Sequence, residues 1–223
     1  MKPFLLAVDG PDGAGKSTLA GGLKARYEAL GHKCWVIHVI KHSEPGALYY
    51  ADYCGGVLEG DPVREACGML YSVMDSIHTA IAQAEEQGIP VVIFDRSLFS
   101  TLAYQLYANG YFWFEPVLKQ CFAQANFPEI HTYLLDIDPE IAMQRLTARG
   151  NLDVIEQRGV EYQKRIRRAY RQAAHDYRPL LGRIMCAAEE PTLSVVGHTA
   201  ETLCNTVFAM SQGHFKRHIE ANA

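Results

Sequence analysis

Residues 10–17 read Gly10-Pro11-Asp12-Gly13-Ala14-Gly15-Lys16-Ser17, the spacing G-x-x-x-x-G-K-[ST]. An apolar run, 4–8, leads into it and an amphipathic stretch, 16–30, leads out. Few segments constrain a fold as tightly, because a strand must end here, the chain must turn on its own backbone, and a helix must start near Lys16. Glycines at those positions let several N–H groups point inward at an anion. The new helix adds its positive dipole end. The octapeptide therefore reads as a phosphate-binding loop for ATP, with Gly10, Gly13, Ala14, Gly15, Lys16, Ser17 and Thr18 against the phosphates. Lys16 supplies a point charge for the β- and γ-phosphates, and the Ser17 hydroxyl a ligand for Mg²⁺.

Further apolar runs recur at 34–40, 91–94, 132–136 and 193–196. Helix-like stretches lie at about 62–87, 98–108, 112–125, 139–148, 159–176 and 199–212. Strands that are apolar throughout and alternate with helices imply a parallel sheet covered on both faces, here in a single domain over 1–223. Ligands of such sheets bind at the carboxyl ends of the strands. Apolar residues make up 48 % of the chain and the net charge is −4, so polymeric nucleic acid is not an expected partner. No stretch nears the roughly 20 apolar residues of a membrane span. The first apolar run is cut by Asp9 before it could form a signal-peptide core. Cys34, Cys54, Cys67, Cys121, Cys186 and Cys204 show no C-x-x-C pairing, as expected for thiols in a reducing compartment. The cytoplasm is the expected location.

The third apolar run ends in Asp95-Arg96, followed by Ser97, Ser100, Thr101 and Ala103-Tyr104-Gln105. An Asp at a strand end beside a phosphate loop can orient Mg²⁺ or its waters. An adjacent Arg can grip a phosphate with two parallel hydrogen bonds. No N-K-x-D occurs, so the guanine-reading element of a GTPase is missing.

Taken in order, Asp9-Gly10, Asp95-Arg96, Ser100, Ala103-Tyr104-Gln105, the 132–140 segment, Arg145, the 148–157 segment, Arg165, Arg167 and Tyr170 resemble the thymidylate kinase family. The resemblance runs from about residue 4 to residue 210. It implies a three-layer α/β/α P-loop NTPase fold with a five-stranded parallel sheet in the order 2-3-1-4-5, and a homodimer. The implied reaction moves the γ-phosphate of ATP onto a nucleoside monophosphate, with Mg²⁺ held by Ser17, Asp95 and Asp12. The implied catalytic set is Lys16, Arg96, Arg149, Asp12 and Asp95, with Arg145 on the donor side and a mobile lid at about 147–158. Gly13 in the loop and Arg149 on the lid place the chain with the lid-arginine, bacterial kind. Val154 stands where such lids often carry another Arg.

The resemblance also assigns the acceptor pocket. Arg96 grips the acceptor phosphate, Asp12 lies near the ribose 3′ side, Tyr104 crowds the ribose 2′ position, Thr101 approaches the base edge and Tyr71 stacks on the base. Tyr71 reads equally as a core aromatic of an amphipathic helix. Two departures stand out. The family motif L-F-x-A-x-R falls on 70–75, which puts Asp75 where an Arg would meet the thymine O4 edge. Because a carboxylate only accepts hydrogen bonds, Asp75 raises the expectation of a base, or a modified pyrimidine, that offers a donor there. Asp75 facing solvent is the other reading. Ser43 replaces the Arg of the family's R-E-P-G, with Lys41 and His42 as candidate substitutes. Two rival functions remain: a deoxynucleoside kinase using Asp95 as base towards a 5′-hydroxyl, and a catalytically inactive nucleotide-binding regulator. The aromatic run 111–114 reads as interface or as core.

Overall fold

The structure, a computed structural model, describes residues 1–123, 127–177, 192–194 and 199–222. Strands β1 (Phe4–Asp9), β2 (Cys34–His38), β3 (Val91–Asp95), β4 (His131–Asp136) and β5 (Thr192–Ser194) form one parallel sheet in the order β2-β3-β1-β4-β5. Alternation along the central strands splits the core into two layers. Leu5 and Ala7 of β1 and Val92 and Phe94 of β3 face one cluster, while Phe4, Leu6, Val8, Val91 and Ile93 face the other. This is the period-2 geometry that lets an all-apolar strand bury both sides.

Helices α1 (Lys16–Ala29) and α8 (Ala200–Ala221) cover the second face. The buried Tyr27 and Ser211 hydroxyls tie them together at 2.8 Å. The opposite face carries α2 (Glu44–Cys54), α3 (Pro62–Glu86), α4 (Leu98–Thr101) and α7 (Gly159–Asp176), while α5 (Glu115–Phe122) and α6 (Pro139–Arg149) complete the helices. Among the described residues, no helix is long and apolar enough to cross a membrane.

Three expectations are corrected. The expected helices leave out 44–54, yet Ser43 caps α2 by accepting from Gly46 N at 3.3 Å, with Pro45 in its first turn. The expected helix 98–108 is α-helical only to Thr101, and Leu102–Ala108 is a π-helical turn closed by Asn109 N donating to Tyr104 O at 2.9 Å. Helix α8 continues to Ala221 rather than stopping near 212. Residues 124–125 of one expected helix, 195–196 of the last expected strand and Cys186 lie outside the described residues. The other five cysteines are free. In the aromatic run, Phe114 is buried, whereas Phe112 and Trp113 are exposed.

Candidate active site

The strand-to-helix turn after β1 is possible only with glycine at its start. Gly10 has φ +140°, and a Cβ there would sit 2.4 Å from the Leu135 carbonyl oxygen. Gly13, at φ +79°, would place a Cβ 2.8 Å from Ala142 O. The loop is thus clamped between β4 and α6. Helix α1 then starts with no side-chain cap and no acidic residue in its first turn, which leaves its first N–H groups for a ligand. Gly13, Ala14, Gly15, Lys16, Ser17 and Thr18 line an open groove of about 450 Å³, bordered by Arg145, Arg149 and, from α8, Ala200 and Leu203. Arg145 donates to Gly13 O at 3.2 Å, so α6 braces the loop.

Two carboxylates organise the other side. Asp9 is fully buried and accepts from Gly10 N, Ser97 N and Oγ, Ser100 N and Oγ, and the Tyr170 hydroxyl, at 2.7–3.2 Å. It fastens the phosphate loop to the segment after β3 and to α7. That anchoring holds Arg96 in a left-handed conformation, φ 77°, unusual for a residue with a side chain. Arg96 donates to Asp12 and, at 3.1 Å, to Ser100 Oγ. Tyr104, aimed by the π-turn, donates to the other Asp12 oxygen at 2.8 Å, and Lys16 Nζ lies 3.5 Å from Asp12. Burial alone would push the Asp12 carboxyl up, but Arg96 and Lys16 more than offset this and hold it well below the usual carboxylate range. Burial, then the neighbouring Arg96, pulls the Lys16 ammonium below its ordinary value.

Asp95 receives the Ser17 hydroxyl at 2.5 Å. These two expected metal ligands are brought together, while the third, Asp12, has both oxygens committed to Arg96 and Tyr104.

Beyond Arg96 opens a narrow cleft of about 30 Å³. It is lined by Asp12, Arg96, Ser100 and Tyr104 and by Ile40, Tyr50, Tyr53, Met69 and Gln105. Tyr50, Tyr53 and Met69 do not stand out in the sequence, and Gln105 stands out only as part of the Ala103-Tyr104-Gln105 match, with no role at the site. The Ser43-Glu44-Pro45 cap signal would have revealed α2 and with it the two tyrosines.

The expected base contacts are corrected. Tyr71 is 58 % exposed and Asp75 half-buried, and neither lines the cleft. Met69 does, with Val73 buried one turn on, so the cleft face of α3 lies two residues earlier than the motif match placed it. Two residues rotate a side chain by about 200° around a helix. Thr101 is fully buried with its hydroxyl unpartnered among the described residues. Ser43 caps α2 and meets Ser76 Oγ at 3.1 Å. Lys41 packs over the Tyr50 ring at 4.4 Å, and His42 pairs with Gln83. Neither lines the cleft.

Arg149, at the end of α6, is 58 % exposed along its side chain and donates to both Glu156 oxygens at 2.7 Å. Glu156 also accepts from Asp153 N, and Asp153 accepts from Glu156 N. Arg158 pairs with Glu59 at 3.1 Å, and Val154 packs by Gly56. The segment therefore spans the two cavities: Arg149 borders the donor groove, and Asp153 and Ile155 border the cleft.

Residues 8–195 match the family described as thymidylate kinase. The thymidylate kinase of Pseudomonas fluorescens is 31 % identical over 220 residues, covering 96 % of this chain and all of the relative. The chain belongs to the thymidylate kinase family. The thymidylate kinase of Deinococcus radiodurans is 31 % identical over 177 residues, 77 % of this chain and 83 % of the relative, and that of Bacillus cereus 24 % over 214 residues, 91 % and 98 %. As a thymidylate kinase family member, this protein is a nucleoside monophosphate kinase that uses ATP as phosphate donor.

Proposed function

We propose that this kinase converts dTMP to dTDP. The observation that carries the reading is Asp12, which borders both cavities and stands between Lys16 on the donor side and Arg96 on the acceptor side. Phosphates arriving from either side take over those cations. An oxygen of the acceptor phosphate attacks the γ-phosphorus, and the bond to the oxygen bridging β and γ breaks, leaving ADP. A monophosphate is largely ionised at neutral pH, its second pKa being about 6, so the attack needs no general base. Positioning and charge carry the catalysis, with Lys16 and Arg149 on the transferring group. Arg149 reaches it once it leaves Glu156, through closure of a mobile lid at 147–158.

The Ser17–Asp95 pair fits a nucleotide-borne Mg²⁺. Ser17 and Asp95 would hold the ion or its waters, with the nucleotide phosphates supplying the remaining oxygens. When bound, the ion supplies charge neutralisation on the phosphates. The same pair weighs against a nucleoside kinase, because Asp95 is turned to Ser17 rather than to the cleft. Asp75 was the motive for a modified base, and its place outside the cleft leaves dTMP as the acceptor proposed. A cytoplasmic location goes with this substrate.

An ADP-release assay across nucleosides and monophosphates tests the reading. Turnover is expected with dTMP and not with thymidine; the reverse order would establish the nucleoside kinase instead.

A homodimer is part of the same reading, supported by Val63 and Tyr71, which are exposed on α3. Tyr71→Asp should weaken self-association at least ~10-fold in sedimentation velocity, as charge on an apolar contact does. An unchanged sedimentation coefficient would remove α3 from the interface.

A further inference from the structure

We propose that Glu65 is a positioning residue that decides what the acceptor base must present. This rests on the kinase reading and goes beyond it by naming how the base edge is recognised. Glu65, on α3, is 8 % exposed. Its carboxylate accepts from Asn109 Nδ2 at 2.7 Å, Tyr111 Oη at 3.0 Å and Gln105 Nε2 at 3.4 Å. An ionised carboxylate accepts and does not donate. It therefore selects one orientation of the Gln105 amide, with the NH₂ towards Glu65 and the carbonyl away from it. The reversed amide would set its oxygen against the carboxylate.

Gln105 lines the acceptor cleft, is itself 1 % exposed, and its Oε1 has no hydrogen-bond partner among the described residues. A buried acceptor left unpaired carries an uncompensated desolvation cost, which a ligand N–H would recover. The π-turn explains how two successive side chains serve one cleft. It holds Tyr104 on Asp12 and Gln105 between Glu65 and the cleft, as such turns often do at functional sites. The chain thus presents an oriented acceptor, and the matching ligand group is the ring imino N–H of a keto pyrimidine. A pyrimidine methylated at that nitrogen leaves Oε1 unpaired and adds a methyl group against it.

The test compares dTMP with its N3-methyl analogue. For the wild type, kcat/KM should favour dTMP by at least ~100-fold, since sites built around a hydrogen bond discriminate strongly. Glu65→Gln presents an amide that can donate or accept, so Gln105 is no longer held one way. The preference should fall to ~10-fold or less, through a higher KM for dTMP with the analogue's KM unmoved. Glu65→Asp keeps an acceptor-only partner and should restore most of the preference. A purely structural Glu65 would move both KM values together and keep the ratio, and that result overturns the proposal. One readout does not need a folded variant: in wild type with dTMP bound, the Gln105 side-chain amide protons should exchange slowly with solvent. Contact of those protons with the nucleotide, seen by NMR, overturns the proposal equally. Absence of transfer to any monophosphate would instead refute the kinase reading, and the wild-type assay shows this first.

Discussion

Arg96→Ala should lower kcat/KM for the acceptor by on the order of 10³–10⁴, the range expected when a phosphate loses a dedicated arginine in phosphoryl transfer. Arg96 is buried beside Asp12 and can form paired hydrogen bonds to a phosphate. Arg96→Lys should recover little, because an ammonium is a point charge without the planar fork. Retention of activity within 10-fold in the Ala variant would show that the acceptor phosphate is held elsewhere.

The same site separates function from stability. Arg96 is held at φ 77°, where a side chain costs roughly 1–2 kcal/mol relative to glycine. Arg96→Gly should therefore be as inactive as the Ala variant yet measurably more stable in urea. Both leave Asp12 without its main cation. Asp12's folded-state pKa is depressed below its ordinary 3.8, so its contribution to stability is fully present above that value and lost as pH falls through the folded-state value. Removing Arg96 raises the folded-state value, so acid unfolding of either variant should begin at higher pH than in wild type. An unshifted acid limb would mean that Lys16 and the Tyr104 hydroxyl hold the charge without Arg96.

What could be read from the residues, and what could not, divides by distance along the chain. The phosphate loop lies in eight consecutive residues, each fixed by a local demand, so its spacing was sufficient. The strands were legible from apolarity. The sheet order came only through family resemblance, since nothing local says that β1 lies between β3 and β4. Helix α3 was legible as a helix but not in phase. The pattern around Tyr71 and Asp75 fits an i, i+4 motif as well as Met69 and Val73 do, and only packing against the cleft decides which pair turns inward. Glu65 and Asp9 are invisible as organisers because, Gly10 N apart, the donors to their carboxylates lie 40 to 161 positions away. A buried carboxylate declares itself only when its donors are known.

That last point makes Asp9→Ala the substitution with the largest expected cost to the fold. Asp9 accepts from three backbone N–H groups and three hydroxyls with no exposure to solvent. Truncation leaves up to six buried donors without a partner. Each orphan costs about 1–3 kcal/mol, although hydroxyls can re-aim and a water can enter the space. Even partial compensation leaves a loss on the order of 5 kcal/mol, comparable with the whole stability of many domains. Asp9→Asn retains the shape but turns an NH₂ towards groups that themselves donate, so it should be nearly as damaging, at least ~3 kcal/mol in urea denaturation. If the Asn variant loses less than ~1 kcal/mol, the donors around Asp9 have other partners, and its role in joining the phosphate loop to Arg96 must be abandoned. If the loss is as large as expected, adding nucleotide should restore part of it by mass action, because the ligand binds the loop that Asp9 otherwise holds in place.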